Sequence, residues 1–173
     1  MSVNIDNFKS VVKGIQRSTL FEVIVTGAPV IGAFATDNLR FTCKAASVPG
    51  STFGVIEVPY MGRKVKFAGD RTYDEWQTIV IVDNGWEIYK TIYDWHAKMN
   101  HPQDNIAVSD NMNNNKGTAI IRMLSVTGKS NFAMKLVGFF PHNLQQMDVA
   151  WDNNDATADL SVSWSYDYAV RVE

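Results

Sequence analysis

The sequence predicts a mainly β protein, an antiparallel β-sandwich or barrel with one flanking α-helix. Three observations lead there. Apolar and polar residues alternate at period two in several runs, most cleanly in "ADLSVSWSYDYAV" at 158–170, the pattern of strands with one dry and one wet face. Turn-forming Gly, Pro and Asn separate these runs. Only one long stretch, residues 85–99, combines helical periodicity with a start signal.

The elements follow in order. Ile5, Phe8, Val12 and Ile15 recur at helical spacing, so residues 1–17 read as a short amphipathic helix or docking arm. This stretch has no uninterrupted apolar core and no small-residue cleavage site, so it does not read as a secretory signal. "STLFEVIVT" and "LRFTCKAAS" are strand-like, and "STFGVIEVP" is a third run bounded by Pro49-Gly50 and Pro59. In "GRKVKFAG", Val65 and Phe67 point one way while Lys64 and Lys66 point the other. "WQTIVIVD" reads as a more buried strand. The helix comes next, with Asn84 as expected N-cap and Glu87 completing a capping box. Ile88, Ile92, Trp95 and Met99 line its apolar face, with Tyr89 and Tyr93 beside them. Residues 100–117, rich in Asn and Asp, read as a long exposed loop. "TAIIRMLSV" and "NFAMKLVGFF" form two strands across the turn "TGKS". In the last run Leu160, Val162, Trp164, Tyr166 and Tyr168 face the core, and Ser161, Ser163, Ser165 and Asp167 face away. No repeat or linker divides the 173 residues, so one domain is expected.

Chemistry is largely excluded. A net charge of −2 gives no field that would gather nucleic acid over the whole surface. No apolar run approaches the roughly 20 residues of a membrane span. The single cysteine, Cys43, cannot form an internal disulfide and is expected to be a buried, inert thiol. "TGKS" lacks the earlier glycine of a phosphate loop, since position 123 is Met, and a strand rather than a helix follows it. His96, His101 and His142 fall in no zinc motif. Asp152, Asp155 and Asp159 fail the calcium-loop pattern at Ala156 and Thr157. Asp70, Asp74 and Glu75 have no partner nucleophile legible in the sequence. The expectation is no catalytic residue, no cofactor, no metal and no enzyme. A glycan-binding module using Trp151 or Trp164 stands as a different class of reading, although Trp164 falls on the apolar side of its strand.

Arg63, Lys64 and Lys66 leave two readings open. Such a basic strand face is either solvated, guarding an edge, or meets acidic groups on another chain.

The run "CKAASVPG…VPYMGRKVKFAGDRTYDEWQTIVIVD", residues 43–83, resembles the tail tube proteins of contractile-tailed, T-even-like phages. The similarity rests on Cys43-Lys44-Ala45, a proline-bearing hairpin, Met61-x-Arg63-Lys64, Ala68-Gly69-Asp70-Arg71-Thr72, an acidic pair and Trp76. Tyr93-Asp94-Trp95, Phe140-Pro141 and Trp151-Asp152 continue it in order. The resemblance implies a tail-tube fold and a structural virion protein. Hexameric rings would stack into the hollow inner tube of a contractile tail, the conduit for the genome. The implied partners are other copies of the chain, the tail sheath, the baseplate, the tail terminator and a tape-measure protein, with DNA passing unbound by sequence. The implied location is the virion tail, after assembly in the host cytoplasm. The alternative is the inner tube of a phage-derived injection machine or type VI system carrying protein.

Under this resemblance the hairpin 47–63 would reach an adjacent ring through Val48, Phe53, Val55, Ile56, Val58 and Tyr60. Arg63, Lys64 and Arg71 would meet carboxylates on a neighbour. Ser161, Ser163, Ser165 and Asp167 are candidates for the lumen lining, or equally for an outer solvent face.

Overall fold

The computed structural model describes residues 15–27, 42–152 and 157–172, with isolated positions 5, 8, 9, 12, 29 and 40. The expected arm over 1–17 falls largely outside the described residues; where it is described, Ile5, Phe8 and Ile15 are exposed.

The strands are β1 (Phe21–Thr26), β2 (Cys43–Ala46), β3 (Ser51–Tyr60), β4 (Arg63–Tyr73), β5 (Trp76–Ile81), β6 (Gly117–Leu124), β7 (Ser130–Leu144), β8 (Asp159–Ser165) and β9 (Tyr168–Arg171). All pairings are antiparallel. Seven strands join in the order β1-β6-β7-β8-β5-β2, with β9 also on β7, while β3 and β4 form a sheet of their own.

The long strand β7 belongs to both layers of the body. Its first part, Ser130 to Phe139, pairs with β6, and Met134 to Val137 also pair with β9. Its last part, Phe140 to Leu144, pairs with β8. At the register shift just before this changeover Gly138 adopts φ +71, a left-handed backbone that favours glycine. A Cβ there would also run into the carboxylate of Asp167. The sheet therefore turns at Gly138 and closes over itself. Val23, Val25, Ile121 and Leu136 from one layer share a single core with Trp76, Val80, Leu160 and Trp164 from the other.

Helix α1 (Glu87–Met99) packs against this core through Ile88, Ile92 and Trp95. Trp95 meets Phe139 and Trp164 with centroids 6.2 and 6.1 Å apart. Each buried indole is satisfied: Trp95 Nε1 donates to the Asn115 carbonyl at 2.9 Å and Trp164 Nε1 to Thr78 Oγ1 at 2.8 Å. Such bonds offset the cost of burying a polar N–H.

Three local expectations need correction. Asn84 does not cap α1. The Asp83 carboxylate accepts from the amides of Gly85 and Glu87, and Trp86, at φ 57, leads into the helix. Asp is as good a cap as Asn and adds charge toward the helix dipole. The 100–117 segment is not wholly exposed. It holds a short 3-10 turn, Met112–Asn115, and buries Asn115 beneath Trp95. The final alternating run is not one strand. It breaks after Ser165, and Tyr168 passes to the other layer, 46% exposed rather than in the core. Period two continues across a break, so alternation alone does not reveal it.

Candidate assembly surface

Strands β3 and β4 are joined by Met61 and Gly62, both with positive φ, 44 and 80. Left-handed backbone at both central positions marks a type I′ turn, whose twist matches the strands it joins. Every residue of β3 is exposed, and nearly every residue of β4. The hairpin stands clear of the body, and its ladder extends to Tyr73, well beyond the 47–63 span read from sequence.

Register divides the hairpin into two faces. Ile56 lies opposite Phe67, Val58 opposite Val65, and Tyr60 opposite Arg63. On the other face Glu57 lies opposite Lys66 and Pro59 opposite Lys64. The first face is apolar with one cation at the tip. Its side chains are about half exposed, from Val58 and Val65 at 44% to Tyr60 at 65%, with Met61 at 88%. Water would have to be expelled from this face by something other than the chain's own body.

The cations sort differently from the expectation. Lys64 Nζ holds Glu57 Oε2 at 2.7 Å, and Lys66 lies 3.9 Å from the other oxygen. The Arg71 guanidinium sits over the Phe53 ring, 4.5 Å from its centroid. Among the described residues Arg63 has no carboxylate partner. Val48 precedes the hairpin and is half exposed.

The second candidate surface is the outer side of the layer β2-β5-β8-β7. Ser163 pairs with Gln77 on β5 and Asn143 on β7, and Ser161 with Ile79. The serines are less wet than alternation predicts. Ser163 is only 3% exposed, because short side chains in a central strand lie below their longer neighbours Gln77 and Asn143; Ser161 and Ser165 are half-buried. The face remains uncharged across its middle. At its margins Lys44 Nζ pairs with Asp159 at 2.5 Å, and His142 Nε2 lies 3.1 Å from Glu75 Oε1. Asp167 lies in the link between β8 and β9, where Lys116 Nζ holds both its oxygens at 2.8 Å.

Sequence reasoning offered the run GRKVKFAGDR for assembly without singling out Val65 and Phe67 as candidate contacts, and did not name Gln77 and Asn143 as companions of the serines. The first pair was recoverable from the Met61-Gly62 turn, which sets the partners of Val58 and Ile56. The second depends on register between distant strands and left no local signal.

Other chemistry is sparse. Among the described residues no three His, Cys, Asp or Glu side chains gather closely enough to share a metal ion. Burial pushes the Cys43 thiol up to about 11, against a weaker opposing backbone hydrogen bond at Ala45, so it is a poor nucleophile at neutral pH. Asp155 lies outside the described residues. Lys44, and then Thr157, hold the Asp159 carboxyl below its ordinary range. No helix among the described residues is long and apolar enough to cross a membrane.

A family model described as phage tail tube protein matches residues 15–171. The chain is 28% identical over 153 residues to the tail tube protein gp19 of Enterobacteria phage T4, covering 88% of this chain and 89% of that one. It shares its fold with a component of the anti-feeding prophage tube-terminating cap: TM-score 0.69, 17% identity, 99% of this chain and 98% of the other covered. A chain of the sheath–tube complex of an extracellular contractile injection system (PVC) superposes with TM-score 0.63 at 15% identity, over 98% of both chains.

Proposed function

This chain belongs to the phage tail tube protein family, and on that premise we propose how it builds the inner tube of a contractile tail. The body closes rings, six copies to a ring, and the hairpin β3–β4 joins one ring to the next. The observation that carries this is the apolar face Ile56, Val58, Tyr60, Val65 and Phe67, held away from the body and left half exposed. An isolated two-stranded hairpin is marginal in water. Burying such side chains against another copy contributes about 1 kcal/mol or more each. Repeated at every subunit, that contact makes stacking cooperative.

Among the described residues, β2 and the last part of β7 are the free borders of the layer β2-β5-β8-β7. Pairing β2 of one copy with β7 of the next would continue the layer round the axis and remove both edges. The face with Ser161, Ser163, Ser165, Gln77 and Asn143 then becomes the wall of the lumen. Phosphates are gripped by unpaired Lys and Arg, and this face offers none, so DNA slides past without being held. Asp167, paired with Lys116, sits at the wall's margin. Sheath, baseplate, tail terminator and tape-measure proteins are the partners such a tube requires, the virion tail is its place, and its work is structural rather than catalytic. The 28% identity to a phage tube protein favours genome delivery over protein cargo.

Cryo-electron microscopy of tubes assembled from the full chain tests this. The expected map shows six-fold rings with each hairpin buried against the adjacent ring and the serine strand facing the channel. A map with the hairpin in solvent, or with the serine face turned outward, would overturn the corresponding half of the proposal.

A further inference from the structure

We infer that the hairpin tip of one copy docks on residues 147–152 of the next copy along the tube axis. The inference rests on the tube reading above and names the surface that receives the hairpin.

The first observation is placement. In the pairing of β5 with β8, Trp76 lies opposite Trp164 at one end and Ile81 opposite Asp159 at the other. The hairpin enters β5 at the Trp76 end. After the Gln145 amide donates to the Ser161 carbonyl, residues 146–152 leave β7 at the Ile81 end, where Ala158, just before β8, accepts from the Val82 amide. Six residues of β5 separate the two features by roughly 20 Å. They sit at opposite ends of one body, the arrangement a head-to-tail contact requires. Such a contact is heterologous and propagates without closing.

The second observation is charge. Residues 51–73 carry Arg63, Lys64, Lys66 and Arg71 against Glu57 and Asp70. No lysine or arginine occurs between Lys135 and Arg171, where Asp148, Asp152, Asp155, Asp159 and Asp167 do. Asp159 and Asp167 are neutralised by Lys44 and Lys116. Among the described residues Asp148 and Asp152 have no cation, and neither does Arg63 a carboxylate. The unmatched charges of the two ends are opposite in sign, which sets orientation and register more than affinity.

The third observation is apolar surface. Trp151 is 103% exposed and Val149 80%, so nothing in the chain's own body packs on either. At the hairpin tip Met61 is 88% exposed and Tyr60 65%. Large aromatic side chains buried at the centre of a contact carry most of its energy. Trp151 against Tyr60 and Met61, with Arg63 beside Asp148 or Asp152, would bury both orphaned clusters at once.

The test uses the full chain under tube-forming conditions, with Met61→Cys and Ala150→Cys placed singly and together. A short bismaleimide joins thiols that lie close, and denaturing gels read the products. Cys43, half-buried and with its thiol pushed up to about 11, contributes little background. The double variant is expected to give a ladder of covalent multimers longer than one ring, whereas a chain with one reactive thiol stops at dimers. Tubes seen by microscopy without that ladder would overturn the docking and leave the tube reading standing. Failure of the unaltered chain to form tubes with its tail partners would overturn both. A second measurement does not depend on the cysteines. Trp151→Ala, or Asp148→Lys with Asp152→Lys, is expected to raise the concentration needed for tubes roughly tenfold with monomer melting unchanged. Adding Arg63→Asp to the lysine pair should recover roughly threefold of it. Normal tube formation by Trp151→Ala, with sheath recruitment lost instead, would assign the segment to another protein and overturn the proposal.

Discussion

The rings of Phe139 and Trp164 stack with centroids 4.4 Å apart and planes 21° from parallel. Phe139 stands just after the bend of β7, and Trp164 lies near the end of β8, so the stack ties the turning strand to the layer it joins. Trp76 and Trp95 complete the cluster, each within 6.2 Å of Phe139. Phe139→Ala should therefore cost about 3–5 kcal/mol, by lost burial and an unfilled cavity. The shift of the urea midpoint at constant slope checks it. A loss below about 1 kcal/mol would show that the cluster collapses around the gap.

Gly138→Ala meets two obstacles, the left-handed backbone and the Asp167 side chain. We expect a loss of about 1–3 kcal/mol. Combining it with Asp167→Ala removes the second obstacle and not the first. A double-mutant cycle on melting temperature should show partial recovery. Simple additivity of the two losses would mean that Asp167 moves aside without cost.

His96 predicts a pH effect on the monomer. Burial pulls its pKa below the ordinary 6.5, the Pro141 carbonyl opposes this, and His142 nearby adds a smaller push downward. The folded state thus takes up its proton later than the unfolded chain as pH falls. Stability linked to His96 is full above pH 6.5 and declines as pH falls through the lowered folded value. Melting temperatures should drop between pH 7 and 5. His96→Gln should flatten that part of the profile; an unchanged slope would assign the decline to other groups.

Polar substitutions on the exposed hairpin should separate folding from assembly. Ile56→Ser with Phe67→Ser removes apolar surface that the body never touches. Monomer stability should change by no more than about 0.5 kcal/mol, while tubes should be lost at concentrations where the unaltered chain forms them. Calorimetry and negative-stain microscopy on the same samples read the two effects. A large drop in melting temperature would show that the hairpin supports the body.

Period-two alternation was enough to assign the β class, the burial of Leu160, Val162 and Trp164, and the division of β4 into Val65 and Phe67 against Lys64 and Lys66. The apolar Val55–Tyr60 run likewise marked the candidate contact, because a strand pattern with apolar residues on a face the core does not claim is a local property. The rest was decided by partners distant in the chain. Register across β5, β8 and β7 set Gln77 and Asn143 beside Ser163 and closed it from water. The break after Ser165 sent β9 to the other layer and exposed Tyr168. The cap passed from Asn84 to Asp83 because the backbone at Trp86 bent left-handed. Composition and periodicity describe what each segment can bury. Which segments meet depends on chain closure over dozens of residues, and only the folded arrangement holds that information.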